Sequence, residues 1–133
     1  MEEIKLRSKE KKYKGINLDE LKQLSIKESA LYLPARSKRS VLRHTEIIER
    51  FVKSCDERIA RKKKIRTHQR DLVIVPKIVG MRIGIHDGKS FQEVEIDVDM
   101  IGHRLGEFAL TRKRVVHSAA GIGATKGSRA AKK

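Results

Sequence analysis

The chain has no tryptophan, one cysteine, two prolines, and only five phenylalanines and tyrosines among 133 residues. Each scarcity excludes something. A lone thiol, Cys55, forms no internal disulfide and no cysteine-based zinc site; it suits a reducing cytoplasm. No apolar run approaches the roughly 20 residues of a membrane span. The opening "MEEIKLRSKEKKYKG" lacks an apolar core, so no secretory signal is expected. With so few aromatics, stacking of successive single-stranded bases is a poor fit. The closing stretch from Leu110 contains no Asp or Glu at all.

What is abundant is positive charge. Lys and Arg number 32 against 17 Asp and Glu, a net +15. Such an excess opposes a compact state by self-repulsion, and a polyanion relieves it. Nucleic acid is the first candidate and an anionic membrane surface the second. The charge is uneven. Residues 1–33 carry +2, residues 34–70 carry +9, residues 71–109 carry −3, and residues 110–133 carry +7. An acidic, apolar middle is flanked by basic segments. Lys and Arg on arms and edges suit the phosphates of a folded RNA read by shape.

The pattern along the chain predicts a small core. Residues 1–14 are charged with little period. In "NLDELKQLSIKESALYL", Asn17 and Glu20 are spaced as a capping box, with Leu18, Leu21 and Leu24 as an apolar face. "PARSKRS" (34–40) breaks that pattern with a proline and the cations Arg36, Lys38 and Arg39. A second helix is expected over about 41–60, where Ile48, Val52, Cys55 and Ile59 recur at helical spacing beside Phe51. Cys55 reads as core. The run "RKKKIRTHQR" (61–70) is the densest in cations and leads straight into apolar sequence, which favours a displayed basic edge over a solvated linker.

Beyond it "DLVIVPKIVG" reads as a short strand or a buried turn, since Pro76 excludes a long central strand. "MRIGIH" alternates, Asp87-Gly88 is a turn signal, and "SFQEVEI" is the return strand. "DVDMIGHRLGEF" is expected to close the core as a short helix, with Asp97 or Asp99 at its start and Ile101, Leu105 and Phe108 on one stripe. Gly102 and Gly106 would admit another backbone. The division expected is a partly helical N-terminal extension (1–40), a globular RNA-binding core (41–111) and a basic C-terminal tail (112–133).

Chemistry beyond binding finds little support. In "GIGATKGS" the lysine precedes the glycine and no strand leads in, so neither a P-loop nor a dinucleotide fingerprint is met. The five histidines lack ligand spacing. No metal, cofactor or catalytic residue is expected, and an enzyme acting on RNA would need a set of carboxylates or histidines that is not visible. A DNA-compacting or membrane-surface basic protein is the other alternative that composition leaves open.

Asp87-Gly88-Lys89, then Ile96, Ile101-Gly102, "LGEF" (105–108) and Thr111 resemble the signature of the ribosomal small-subunit protein number nineteen family. "RTHQRDLVIVPKIVGMRIGIHDGKSFQEV" is similar to the segment that precedes it there, so the resemblance is strong over about 65–117. "YKGINLDEL", "GIGAT" and Ser128-Arg129 look like the archaeal and eukaryotic cytosolic branch; the bacterial branch has proline where Leu110 stands. The resemblance implies a small α+β protein on the ribosome, helices beside a short three-stranded sheet, with basic N- and C-terminal extensions. It implies binding to the 3′ domain of small-subunit ribosomal RNA in the subunit head, beside protein number thirteen, with a tail directed toward the decoding region and tRNA. On this sequence Lys64, Arg66, His68 and Arg70 fall on a basic first strand, Lys89 at the hairpin turn, and His103 and Arg104 in "GHRLGEF". Arg112, Lys113, Arg114 and His117 open the tail. Together with Arg36, Lys38, Arg39, Lys62, Lys63, Lys126 and Arg129, these are the expected RNA contacts. Gly102, Leu105, Gly106 and Phe108 are expected to be structural.

Overall fold

Helical periodicity and strand alternation meet on one buried cluster in the computed structural model, which describes residues 11–116. A two-residue ribbon, β1 (Lys12–Tyr13) and β2 (Ile16–Asn17), leads into α1 (Leu18–Gln23) and α2 (Ile26–Ser29). Helices α3 (Ala35–Arg43) and α4 (Thr45–Ala60) follow, then β3 (Ile65–Thr67), β4 (Arg82–His86) and β5 (Phe91–Glu95). The three-stranded sheet has the order β3-β4-β5, with β3 parallel to β4 and β4 antiparallel to β5. The architecture is α+β, as expected. Ile48, Val52 and Cys55 of α4 are buried with Ile65, Ile83 and Ile85 of the sheet, and Ile26, Ala30 and Leu33 join the same cluster. Burial pushes the Cys55 thiol up to about 11, consistent with a core residue.

Four local expectations change. Asn17 occupies the cap position of α1, but its side chain makes no capping bond. The capping box forms at the next helix, α2: Glu28 N–H donates to Ser25 Oγ at 3.3 Å, and Ser25 N–H donates to Glu28 Oε2 at 2.9 Å. Pro34 does not break a helix; it starts one. A fixed φ and a missing N–H cost nothing ahead of a first turn, and Lys38 N–H donates to the Pro34 carbonyl at 2.8 Å. The single helix expected over 41–60 is interrupted at His44 (φ −118°, ψ 29°). There the Thr45 hydroxyl donates to the Val41 carbonyl at 2.9 Å, a local bond that competes with the helical ladder.

The last change concerns "DVDMIGHRLGEF" (97–108). It is no continuous helix but two 3₁₀ turns, Val98–Met100 and Leu105–Phe108, joined by extended backbone. Gly102 has φ +87°, which ends the first turn. The joining backbone is used for pairing. Ile74 N–H donates to the His103 carbonyl at 2.8 Å, Gly102 N–H to Ile74 at 3.0 Å, Leu105 N–H to Leu72 at 3.0 Å, and Gly106 N–H to Arg70 at 2.8 Å. The open choice for "DLVIVPKIVG" thereby resolves to a buried, irregular connection in which the Leu72 carbonyl and the Ile74 N–H and carbonyl are satisfied by residues 102–105. It carries the chain from β3 to the parallel β4 through one 3₁₀ turn, Pro76–Ile78, and no α-helix. Asp97 does cap the first turn, accepting from Val98 N–H at 2.8 Å.

Candidate nucleic-acid interface

Helix α4 ends in a tight cationic turn. Lys62 N–H donates to Ile59 (2.9 Å) and Lys63 N–H to Arg58 (2.8 Å), the two bonds of a Schellman closure. That closure places Lys62 in the left-handed region, at φ +53°, where glycine is the usual occupant. Lys62 and Lys63 are exposed and have no carboxylate partner among the described residues. Lys64, next along, is held by Glu93 across the sheet at 2.7 Å, and the Lys64 ammonium keeps the Glu93 carboxyl below its ordinary range.

Period-two alternation puts Arg66 and His68 on the outer face of the sheet, with Gly84 and His86 of β4 and Phe91 of β5 beside them. The Arg66 guanidinium lies 5.3 Å from the Phe91 ring centre, within cation–π range. Gly84 makes this crossing possible: a Cβ there would sit 3.3 Å from Arg66 Cγ and 3.2 Å from the Ile65 carbonyl oxygen. His68 and His86 have ring centres 4.3 Å apart, and both meet Phe91 edge-on at 5.1 and 4.9 Å. Gly88 N–H donates to His86 Nδ1 at 3.0 Å. Sequence reasoning missed this ring cluster because it counted Phe and Tyr and left imidazoles out.

The hairpin turn is organised by Asp87. Its carboxylate accepts from Ser90 N–H (2.7 Å), Lys89 N–H (2.9 Å) and Gln92 Nε2 (3.1 Å). The two main-chain donors, Ser90 first, hold the acid well below the usual carboxylate range. Lys113 Nζ stands 3.9 Å from the same carboxylate, tying the start of the tail to the hairpin. Lys89 is exposed at the turn, as are Arg112 and Arg114 beyond it.

Other expected contacts serve the fold. The Arg70 guanidinium donates to the main-chain carbonyls of Gly106 (2.8 Å), Ala109 (2.5 Å) and His86. Arg70 therefore joins three segments, a positioning role that basic composition did not foretell. Arg104 reaches the Asp71 carbonyl at 3.3 Å and Ser40 Oγ of α3 at 3.4 Å. His103 Nδ1 lies 2.7 Å from Glu107 Oε2. Ser37 Oγ donates to the Gly102 carbonyl at 2.5 Å, so α3 and the "GHRLG" backbone are in contact. This brings the solvent-facing Arg36 and Arg39, and half-buried Lys38, to the same side as His103 and Arg104. His117, Lys126 and Arg129 lie outside the described residues. Among the described residues no group of His, Cys, Asp and Glu could hold a metal ion, and no helix is long and apolar enough to cross a membrane.

A family model described as ribosomal protein S19 matches residues 36–117, more than half of the chain. The chain belongs to the ribosomal protein S19 family. Similar relatives named small ribosomal subunit protein uS19 occur in Methanocella arvoryzae, 45% identical over 92% of this chain and 86% of theirs, and in Halorubrum lacusprofundi, 44% identical over 91% and 89%. These likenesses place the chain in the archaeal and eukaryotic branch of the family. Membership makes it a structural, RNA-binding ribosomal protein rather than an enzyme. The matched span includes α3 but for its first residue, the cationic turn, the sheet and the "GHRLGEF" segment, and leaves out the β1–β2 ribbon, α1 and α2.

Proposed function

We propose that this chain is a constituent of the small ribosomal subunit head that binds the 3′ domain of the small-subunit ribosomal RNA. The observation that carries the reading is the set of displayed cations without carboxylate partners, on three edges of a rigid α+β core in a member of a ribosomal family. Arg36 and Arg39 on α3, Lys62 and Lys63 after α4, and Lys89, Arg112 and Arg114 at the hairpin end each offer charge to phosphate. The expected contacts His117, Lys126 and Arg129 add further cations in the sequence that follows. Lys38, Lys64, Arg66, His68, His103, Arg104 and Lys113 border these edges, while Arg70 shapes them from within. Leu31, Tyr32 and Leu42 are apolar yet exposed on α3 and the turn before it. They suit a protein neighbour, for which protein number thirteen of the head is the candidate. The basic tail runs toward the decoding region and tRNA, and the protein works in the cytoplasm on the ribosome.

Sedimentation of cell extract at low and then high salt tests this. The chain is expected to co-migrate with the small subunit and to survive the salt wash. Migration apart from ribosomes would overturn the reading. Removal of residues 112–133 is expected to leave the core folded, weaken RNA binding and flatten its salt dependence, because each lost phosphate contact lowers the slope by about 0.7–0.9. An unchanged slope would remove the tail from the interface.

A further inference from the structure

Three surface clefts carry a carboxylate in their lining: Asp71 in one, Glu93 in the second, Glu46 and Glu49 in the third. A fourth, of about 470 Å³, lies between α4 and β3 and has none. Its lining brings Arg50, Arg58 and Arg66 together with Phe51, His68 and Gln69. Arg58 is fixed there by donating to the Arg66 carbonyl at 3.0 Å. Arg50 has only a 3.6 Å pair with Glu46, both side chains about four-fifths exposed, and such surface pairs hold a guanidinium weakly. Phe51 is half-buried. The His68 ring is held by His86 and Phe91 rather than by hydrogen bonds. The Gln69 side-chain amide has no partner among the described residues, although its main-chain N–H is used by Thr67 Oγ1 at 3.0 Å.

These parts make up a particular chemistry. Guanidiniums recognise phosphate in fork geometry. A flat ring and an imidazole stack on a base, which every base allows through its π-face. A free amide donates to and accepts from a base edge. A bare phosphate would use only the first of these, and an acidic peptide would leave the rings and amide without a purpose. The volume falls within the range of small-ligand sites. We propose that the cleft between α4 and β3 receives one unstacked nucleotide of the bound RNA, its base against Phe51 and His68 and its phosphate on the arginines. The proposal rests on the RNA-binding reading above and adds to it a site where a base, and not only backbone, is held.

Ultraviolet crosslinking of purified small subunits, followed by mass spectrometry of peptide–nucleotide adducts, tests it. Adducts joining Phe51 or His68 to one nucleotide are expected. Adducts confined to α3, the Lys62–Lys63 turn and the tail would overturn the cleft while sustaining RNA binding. A chemical crosslink from the cleft to another ribosomal protein, without RNA adducts there, would replace the nucleotide with a protein occupant. Absence of the chain from the subunits would overturn both readings. In subunits carrying His68→Ala, an exposed position whose truncation leaves no core cavity, base-reactivity probing should show one nucleotide becoming about 5-fold or more reactive. Unchanged reactivity throughout the RNA would sink the proposal.

Discussion

Two regions of the molecule use cations in opposite ways. Around residues 70–74 and 102–106, the side chains of Arg70 and Arg104 point their N–H groups at main-chain carbonyls and the Ser40 hydroxyl. At the end of α4, Lys62 and Lys63 face outward without acidic partners among the described residues. The first region sits at a buried irregular connection, whose main chain needs partners that no helix or regular strand supplies. The second follows a helix whose last carbonyls are already satisfied by its own turn. Whether a basic residue builds the fold or faces a ligand depends on the state of the nearby carbonyls, not on the local density of charge.

That contrast breaks most sharply at Arg70. Replacing Arg70 with Ala removes donors from three carbonyls, and Lys cannot reproduce the fork. Both variants are expected to lose about 2–4 kcal/mol in urea unfolding, since bonds to charged groups contribute roughly 1.5–3 kcal/mol each and do not add fully. A loss below about 0.5 kcal/mol would put Arg70 back among surface cations.

Gly106→Ala attacks the same junction from the other side. Its Cβ would lie 2.9 Å from Arg70 Cβ and 3.0 Å from the Arg70 carbonyl oxygen. Overpacking of this kind costs about 1–3 kcal/mol, and thermal unfolding should register it. An unchanged Tm in the Gly106→Ala variant would mean that the two backbones separate freely.

At the hairpin, Asp87 has its folded acidity lowered, mainly by the N–H groups of Ser90 and Lys89. A depressed carboxyl contributes stability above its unfolded value, near the ordinary 3.8, and loses it as pH falls toward the folded value. The stability difference between wild type and Asp87→Asn should therefore be full at about pH 6 and shrink progressively below about pH 4. A difference independent of pH would remove the charged form from the turn's stability.

The smallest effects sharpen the other region. Lys62→Gly relieves a left-handed lysine, a strain of roughly 1–2 kcal/mol, against about 0.5–1 kcal/mol of glycine entropy. It should raise stability by about 0.5–1 kcal/mol while weakening RNA binding. Lys63→Ala should change stability by less than about 0.5 kcal/mol and lower the salt slope of RNA binding by about 1. Equal effects of both on stability would mean that the left-handed position carries no strain.

Sequence alone showed the parts whose signals are local. The α4 stripe of Ile48, Val52 and Cys55, the β4–β5 hairpin and the Asp87-Gly88 turn were legible from spacing. Ile59 fits that stripe but is 49% exposed, at the last turn of the helix, where it lines an open cleft beside the sheet. The 101–108 stripe suggested a helix because Ile101 and Leu105 are indeed buried. Only the distant 70–74 segment, which takes the backbone bonds, shows why no helix forms. The site divides similarly. Cationic composition indicated a polyanion and named the basic edges, but separating Arg70 from Lys62 requires knowing which carbonyls lack partners. The His68–His86–Phe91 cluster joins β4, β5 and the residue just past β3, and left no local trace.

The bonding of residues 70–74 to 102–106 also bears on the order in which the chain can mature during synthesis. Arg70 must wait for Gly106 and Ala109, Ser37 for Gly102, and Lys11 for Asp97, whose carboxylate it meets at 2.9 Å. Closure of such distant pairs is slow relative to local helix formation. Helices α3 and α4 emerge early with apolar faces that have no finished core to cover. The segment that completes the core is among the last described residues to leave the synthesising machinery. A nascent chain stopped before residue 102 would hold helices and a hairpin without the clasp that joins them.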